Sequence, residues 1–236
     1  MTESEMNARI TDASEEEEEV GELRERAILF LNGEIDQNHL QICATLLNYH
    51  FTEDFNEPIQ LIINSDGGNC SIGWSIIDVM NFIRLPIHTI ALGVVASMAA
   101  DIFANGDTRT IGEHSTLMIH PHSAVRFGSH SSLLASSRAD AIEHNRRLTH
   151  YVNNSKYKST KEVEEKLFTT RGDDLWLTPE EVLEHGLCDE IAVADRSKRR
   201  KAFRSVHSDG GKTARIPRKP RATATKTKRP KRTSSR

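Results

Sequence analysis

Ser97 is the first residue whose surroundings suggest chemistry. It lies among small apolar residues in GVVASMAADIFANG (residues 93–106), after a predicted strand, IHTIALG, and at the start of a predicted helix. A hydroxyl at a strand-to-helix junction lies beside free backbone N–H groups and the positive end of the helix dipole, as a nucleophile needs. Serine among alanines is also common in ordinary helices, and taken alone these residues favour that structural role.

A base and an acid for such a serine are present downstream. His120 ends the apolar segment LMIHPHS, where a strand would hold the ring in place. His122 stays open as an alternative, although Pro121 argues against a continued strand. Asp173 or Asp174, just before the apolar LWL, would orient the imidazole, although a lone loop aspartate is more often a turn former.

Gly67 and Gly68 end the predicted strand IQLIINS and precede a helix. Two glycines at this position let another part of the chain approach the backbone and can direct an N–H into a cleft. The spacings of nucleotide-binding loops are absent, so we do not interpret the pair as a phosphate site.

The elements that must position these residues alternate between strand and helix along the chain, which predicts an α/β domain. A long polar helix is expected within residues 131–155. Ser159 with Glu162, and Thr178 with Glu181, have the spacing of capping boxes at the starts of two further helices. We place the domain at residues 23–195, after an acidic arm (1–22) that we expect to be disordered.

Composition separates the two ends of the chain. Residues 196–236 contain 17 basic residues and one acidic residue, and predict a disordered tail. Such a tail would bind nucleic acid or another polyanion, or serve only as a solvated segment. The three cysteines lack disulfide or zinc spacing, and neither a signal peptide nor a membrane span is evident, so we expect a cytoplasmic protein.

Five motifs in order resemble ClpP, the proteolytic subunit of the Clp protease: FLNGEI, INSDGG, GVVASMAADIFANG, MIH and DDLWLTPEEVLEHGLCDEI. The likeness covers residues 24 to about 194, and the 29 residues between Gly67 and Ser97 match the family's usual separation. By this resemblance Ser97 is the nucleophile, His120 the base and Asp174 the acid. Gly68 and Met98 would donate the oxyanion N–H groups, and no metal or organic cofactor is implied.

The resemblance also implies an architecture and partners. ClpP subunits have a crotonase-like fold of repeated strand-turn-helix units, with a protruding handle of helix and strand. They form stacked heptameric rings around a chamber, in which unfolded proteins delivered by a Clp-type ATPase are cut; the ATPase, not this chain, uses ATP. The alternatives are a phage-type maturation protease without an ATPase, a non-catalytic ring subunit and a crotonase-like acyl-CoA enzyme. The triad argues against the non-catalytic ring subunit, and the Ser-Met junction argues against the acyl-CoA enzyme.

Several residues depart from the ClpP pattern. Asp66 replaces a proline, Ala99 replaces a glycine, and Asp101 brings a charge where an apolar residue is usual. Asp101 must point away from Ser97 or have a partner, because an unpaired buried carboxylate is costly. The handle segment SAVRFGSHSS has only Gly128 where the family often has several glycines, and IQLIINS lacks the tyrosines that help to bind the ATPase.

Overall fold

The structure, a computed structural model, describes residues 21–121, 127–168 and 174–193. All of these residues belong to one compact unit. The predicted basic tail, and the acidic arm up to residue 20, lie outside the described ranges. Residues 21–25 are helical, so a helix is already present at the predicted domain start.

A seven-stranded sheet lies at the centre of the described region. Its strands are β1 (Ile28–Asn32), β2 (Ile59–Ser65), β3 (Ile87–Ala96), β4 (Thr108–Gly112), β5 (Thr116–Ile119), β6 (Leu175–Leu177) and β7 (Glu190–Ala192). The neighbours β1-β2-β3-β4-β7 are all parallel, and β5 also joins β3 in parallel. Only β6 runs antiparallel, against β5. The predicted α/β class is confirmed.

Helices connect the parallel strands, as parallel pairing requires. They are α1 (Leu40–Phe51), α2 (Cys70–Phe82), α3 (Met98–Ala104), α4 (His130–Asn153), α5 (Thr160–Leu167) and α6 (Pro179–Glu184), with a short 3₁₀ helix at Gln37–His39. Within the described ranges, no helix is long and apolar enough to span a membrane.

The capping predictions are met to different degrees. The Thr178 hydroxyl accepts from the Glu181 N–H while the Glu181 carboxylate accepts from the Thr178 N–H, a complete capping box. The Ser159 hydroxyl likewise accepts from the Glu162 N–H, but the Glu162 carboxylate accepts from Lys158 instead of from the cap residue. At Ser159, therefore, only one of the two hydrogen bonds of a capping box is present.

Strand β3 is longer than predicted, because Gly93 bends the strand instead of ending it. Gly93 has φ +72, which favours glycine, and its N–H donates to Ser115 Oγ at 3.0 Å. Before this bend β3 pairs with β4, and after it the segment Val94–Ala96 pairs with β5. The bend thus brings β5, with the candidate base at its end, beside the end of β3.

Helix α3 is buried along its whole length, and Ile102 and Phe103 are among the largest fully buried side chains. A helix surrounded by protein has room only for small residues where neighbouring segments pack closely against it, which explains Ala99 and Ala100. The methyl group at Ala99 is fully buried in this packing.

The predicted handle falls partly outside the described residues. The long polar helix is α4, which begins at His130, and its first four turns are largely exposed. Buried residues appear only toward its C-terminal end. The segment expected to contribute the handle strand, SAVRFGSHSS, begins at Ser123, and its residues 123–126 are not described.

Candidate active site

Ser97 lies between β3 and α3 in a backbone conformation that is unusual for a residue with a side chain. Its φ and ψ are 56° and −126°, and of the described non-glycine residues only Ala27 also has a positive φ. Such a conformation costs about 1–3 kcal/mol and persists only when the surroundings fix it. Here the Ser97 N–H donates to Met118 O at 2.9 Å, and the Ser97 carbonyl accepts from Ala100 at 2.9 Å.

His120 contacts Ser97 directly. Its Nε2 lies 2.7 Å from Ser97 Oγ, and both side chains are partly exposed. This is hydrogen-bond distance for a hydroxyl oxygen and an imidazole nitrogen. The structure therefore joins a hydroxyl and a potential base that are 23 positions apart in the sequence.

Asp174 directly precedes β6, and His120 directly follows β5, the strand with which β6 pairs in antiparallel. The last pair of this ladder is Ile119 with Leu175, so His120 and Asp174 are the residues just beyond it on the two chains. The carboxylate is exposed, and no hydrogen bond joins it to the imidazole, both residues being in the described part of the chain. The alternatives Asp173 and His122 lie outside the described residues.

The glycine pair lies against the serine. A Cβ on Gly67 would be 2.7 Å from Ser97 Cβ and from Ala96 O, and 3.0 Å from Met98 N. Gly68 forms a parallel bridge with Ile35, which accepts from Asn69 and donates to Gly67 O. Among the described residues, neither the Gly68 N–H nor the Met98 N–H has an acceptor.

Gly67, Ser97 and His120 lie at the carboxyl ends of parallel strands, whereas Asp174 precedes the antiparallel strand β6. Gly67 follows β2, Ser97 follows β3 and His120 follows β5. This edge is where α/β sheets usually bind ligands, because the chain leaves each strand there and opens a crevice. No group of three or more side chains suited to a metal ion occurs in the described ranges.

Comparison with known proteins identifies the family of the chain. The family model described as Clp protease matches residues 12–195. An ATP-dependent Clp protease proteolytic subunit from Chlorella vulgaris is 31% identical over 172 residues, which are 72% of this chain and 83% of the relative. The chain belongs to the Clp protease family. It is therefore a Clp-type protease, and the resemblance read from the sequence is confirmed.

Asp101 has an ion-pair partner in its buried position, and its hydrogen bonds within the described residues are made by Oδ1 and not by Oδ2. It is completely buried, and Arg147 Nη2 donates to Oδ1 at 3.1 Å while Arg147 Nε lies 2.8 Å from Oδ2 as an ion pair. The Tyr151 hydroxyl donates to Oδ1 at 2.6 Å. The ring of His150, through Nε2, is 2.9 Å from the Asp101 carbonyl oxygen. The carboxylate thus connects α3 to α4.

The buried position of these side chains changes their ionisation. Burial alone would lower the pKa of the Arg147 guanidinium, but the Asp101 charge outweighs it and the net direction is upward, so Arg147 stays charged. Burial raises the pKa of Tyr151, reinforced by the Asp101 charge, so the phenol stays protonated. Burial lowers the pKa of His150, although the Asp101 charge acts in the opposite direction. The cluster is one buried ion pair with neutral hydrogen-bonding neighbours.

Arg147 and Tyr151 were not predicted from the sequence. Their segment, RRLTHYV, reads as part of a polar helix, and no local pattern indicates that its arginine is buried. The available signal was indirect: a charge at Asp101 inside an apolar helix required a cation, and Arg147 and Tyr151 are four residues apart, so they share a helix face.

Proposed function

We propose that this Clp-family protease is a serine endopeptidase in which Ser97 is the nucleophile, His120 the general base and Asp174 the acid that orients the imidazole. The observation that carries the proposal is the 2.7 Å contact between Ser97 Oγ and His120 Nε2 at a strained strand-to-helix junction. A serine that only filled a helix would need neither the positive φ nor a histidine partner.

The chemistry follows from this contact. His120 Nε2 accepts the hydroxyl proton as Ser97 Oγ attacks the carbonyl carbon of the scissile peptide bond. The protonated ring then donates that proton to the leaving nitrogen, the C–N bond breaks, and an acyl group stays on Ser97. Water, deprotonated by His120, attacks the acyl carbon, and the proton returns to Ser97 as the carboxylic acid leaves.

Gly68 and Met98 are the proposed donors to the oxyanion that forms in each tetrahedral intermediate. Both N–H groups lack an acceptor among the described residues, and the closeness of Gly67 to Ser97 brings the two segments together. Loss of one such donor typically costs about 100- to 1000-fold in kcat. No metal or organic cofactor has a step in this scheme.

The assembly and partners are further parts of the proposal. Heptameric rings stacked in pairs would enclose the active sites, and a Clp-type ATPase would deliver unfolded proteins to them in the cytoplasm. A phage-type maturation protease that needs no ATPase is the alternative, and the basic tail at 196–236 is proposed to contact a polyanion.

A fluorophosphonate probe tests the proposed nucleophile. We expect the wild-type protein to be labelled and Ser97→Ala to be unlabelled. His120→Ala should lose labelling while His122→Ala keeps it, and Asp174→Asn should lose more activity than Asp173→Asn. Absence of Ser97-dependent labelling in the assembled protein would mean a non-catalytic ring subunit, and loss in His122→Ala alone would assign the base to His122.

A separate measurement tests the partners. The native mass gives the number of subunits, and cleavage of a short peptide is compared with cleavage of a folded protein, with and without a Clp ATPase. We expect the ATPase to be needed only for the folded substrate. Cleavage of a folded substrate at the same rate without it would support the phage-type alternative.

A further inference from the structure

Arg147 contacts the backbone of the proposed base as well as Asp101. Its Nη1 donates to the His120 carbonyl oxygen at 2.8 Å, while the rest of the guanidinium pairs with Asp101. The arginine side chain is only 3% exposed. One buried group therefore joins the residue after β5 to the helix that follows the nucleophile.

The His120 carbonyl lies just past the end of β5, before Pro121. Proline has no N–H to continue a ladder, so strand pairing does not hold the backbone at this point. Two residues earlier, Met118 O accepts from the Ser97 N–H at 2.9 Å. The segment 118–120 is thus held at one end by the nucleophile's own amide and at the other by Arg147.

We infer that Arg147 is a positioning residue for the reaction: it fixes the backbone of His120 so that Nε2 stays within reach of Ser97 Oγ, and Asp101 is its counter-ion. Asp101 has a second effect. A bare guanidinium beside His120 would oppose the positive charge that the ring gains during catalysis, and the Asp101 carboxylate compensates it. The inference rests on the proposed roles of Ser97 and His120.

The test must separate positioning from folding, because removal of one member of a buried ion pair leaves the other charge uncompensated. The double variant Asp101→Leu/Arg147→Met replaces the whole pair with apolar groups, a change that proteins often tolerate. It removes the hydrogen bond to His120 O but leaves no buried charge. Its matched control is Tyr151→Phe, which removes a hydrogen bond to the same carboxylate and does not touch His120.

Steady-state cleavage of a fluorogenic peptide by the full-length assembled protein gives kcat and KM separately, with thermal unfolding measured alongside. We expect the double variant to remain folded with kcat lower by roughly 10- to 100-fold and KM within about twofold, as for a misplaced catalytic group. Tyr151→Phe should keep the wild-type kcat even where its unfolding temperature falls.

Arg147→Lys provides a second measurement if the double variant does not fold. Its ammonium pairs with Asp101 but lacks the planar fork that reaches both partners at once, so we expect a folded protein with reduced kcat. A wild-type kcat in the folded double variant or in Arg147→Lys would overturn the inference. Wild-type protein without Ser97-dependent labelling would instead overturn the proposed function, so the two failures are distinguishable.

Discussion

Substitution of Gly67 by alanine should slow the reaction of the active site while leaving the fold largely intact. Gly67 contacts the turn that carries Ser97, and a Cβ there would lie 2.7 Å from both Ala96 O and Ser97 Cβ. Ordinary contact begins near 3.4 Å, so the segments must separate by about 0.7 Å. Since the obstructing atoms are backbone and the first side-chain atom of Ser97, no flexible side chain can move to make room.

The expected loss has two components. Gly67 has φ +94, and a side chain in this conformation costs about 1–2 kcal/mol of stability. The displacement moves Ser97 and the adjacent Met98 N–H relative to the other catalytic groups. Misplacement by about 1 Å can cost on the order of 100-fold in rate, so we expect fluorophosphonate labelling of Gly67→Ala to be roughly 10- to 100-fold slower.

Gly33→Ala is the matched control, because it separates backbone strain from steric contact. Gly33 has φ +77, but no atom lies within 4 Å of the position of its Cβ. It should therefore lose a similar amount of stability in urea unfolding and still be labelled at the wild-type rate. If Gly67→Ala were labelled as fast as Gly33→Ala, the close approach would have no part in arranging the site.

Three further predictions concern stability and reactivity. Because burial lowers the pKa of His150, this residue is protonated at a higher pH in the unfolded chain than in the folded protein. As the pH falls below about 6.5, His150 should therefore lower the free energy of unfolding by up to about 1.4 kcal/mol per pH unit. In denaturant unfolding between pH 7.5 and 5.5, the free energy of unfolding of His150→Gln should depend less on pH than that of the wild type. Burial raises the pKa of the Cys188 thiol to about 11, so iodoacetamide at pH 8 should alkylate this thiol only after the protein unfolds. Mass spectrometry detects the alkylation, and rapid labelling of Cys188 in the native protein would contradict the prediction. Thr178→Ala should lower the free energy of unfolding in urea by about 1 kcal/mol, because the helix loses its cap, whereas Thr178→Ser keeps the hydroxyl and should lower it much less. Equal losses in the two variants would assign the effect to packing of the threonine methyl group.

The elements that the sequence predicted well are those whose signal is local. IQLIINS coincides with β2, and the apolar spacing in HLQICATLLNYHF indicated α1 to within one residue. A strand or helix with one continuous pattern needs no information from the rest of the chain. Strand β3 was predicted too short, because the strand β5 that pairs with its segment after Gly93 is remote in sequence.

The candidate site shows the same division. Local context singled out Ser97, the glycine pair and a histidine at a strand end, but left His120 against His122 and Asp173 against Asp174 undecided. Only the order and spacing of the motifs, through the family resemblance, chose between them. Contacts between distant segments, such as Arg147 with the His120 carbonyl, leave no periodic trace in a sequence and were not predicted.

The Asp101 cluster accounts for how a short helix can hold the turn that carries the nucleophile. Helix α3 has seven residues, and its alanines bury little surface each, so packing alone gives its position little specificity. Asp101 adds a directional contact to Arg147 of α4, together with the contact between its own carbonyl and His150. An apolar side chain at this position would bury comparable surface but accept no hydrogen bonds. The charge that departs from the family pattern therefore ties the end of β3 to a second helix, and through Arg147 to the proposed base.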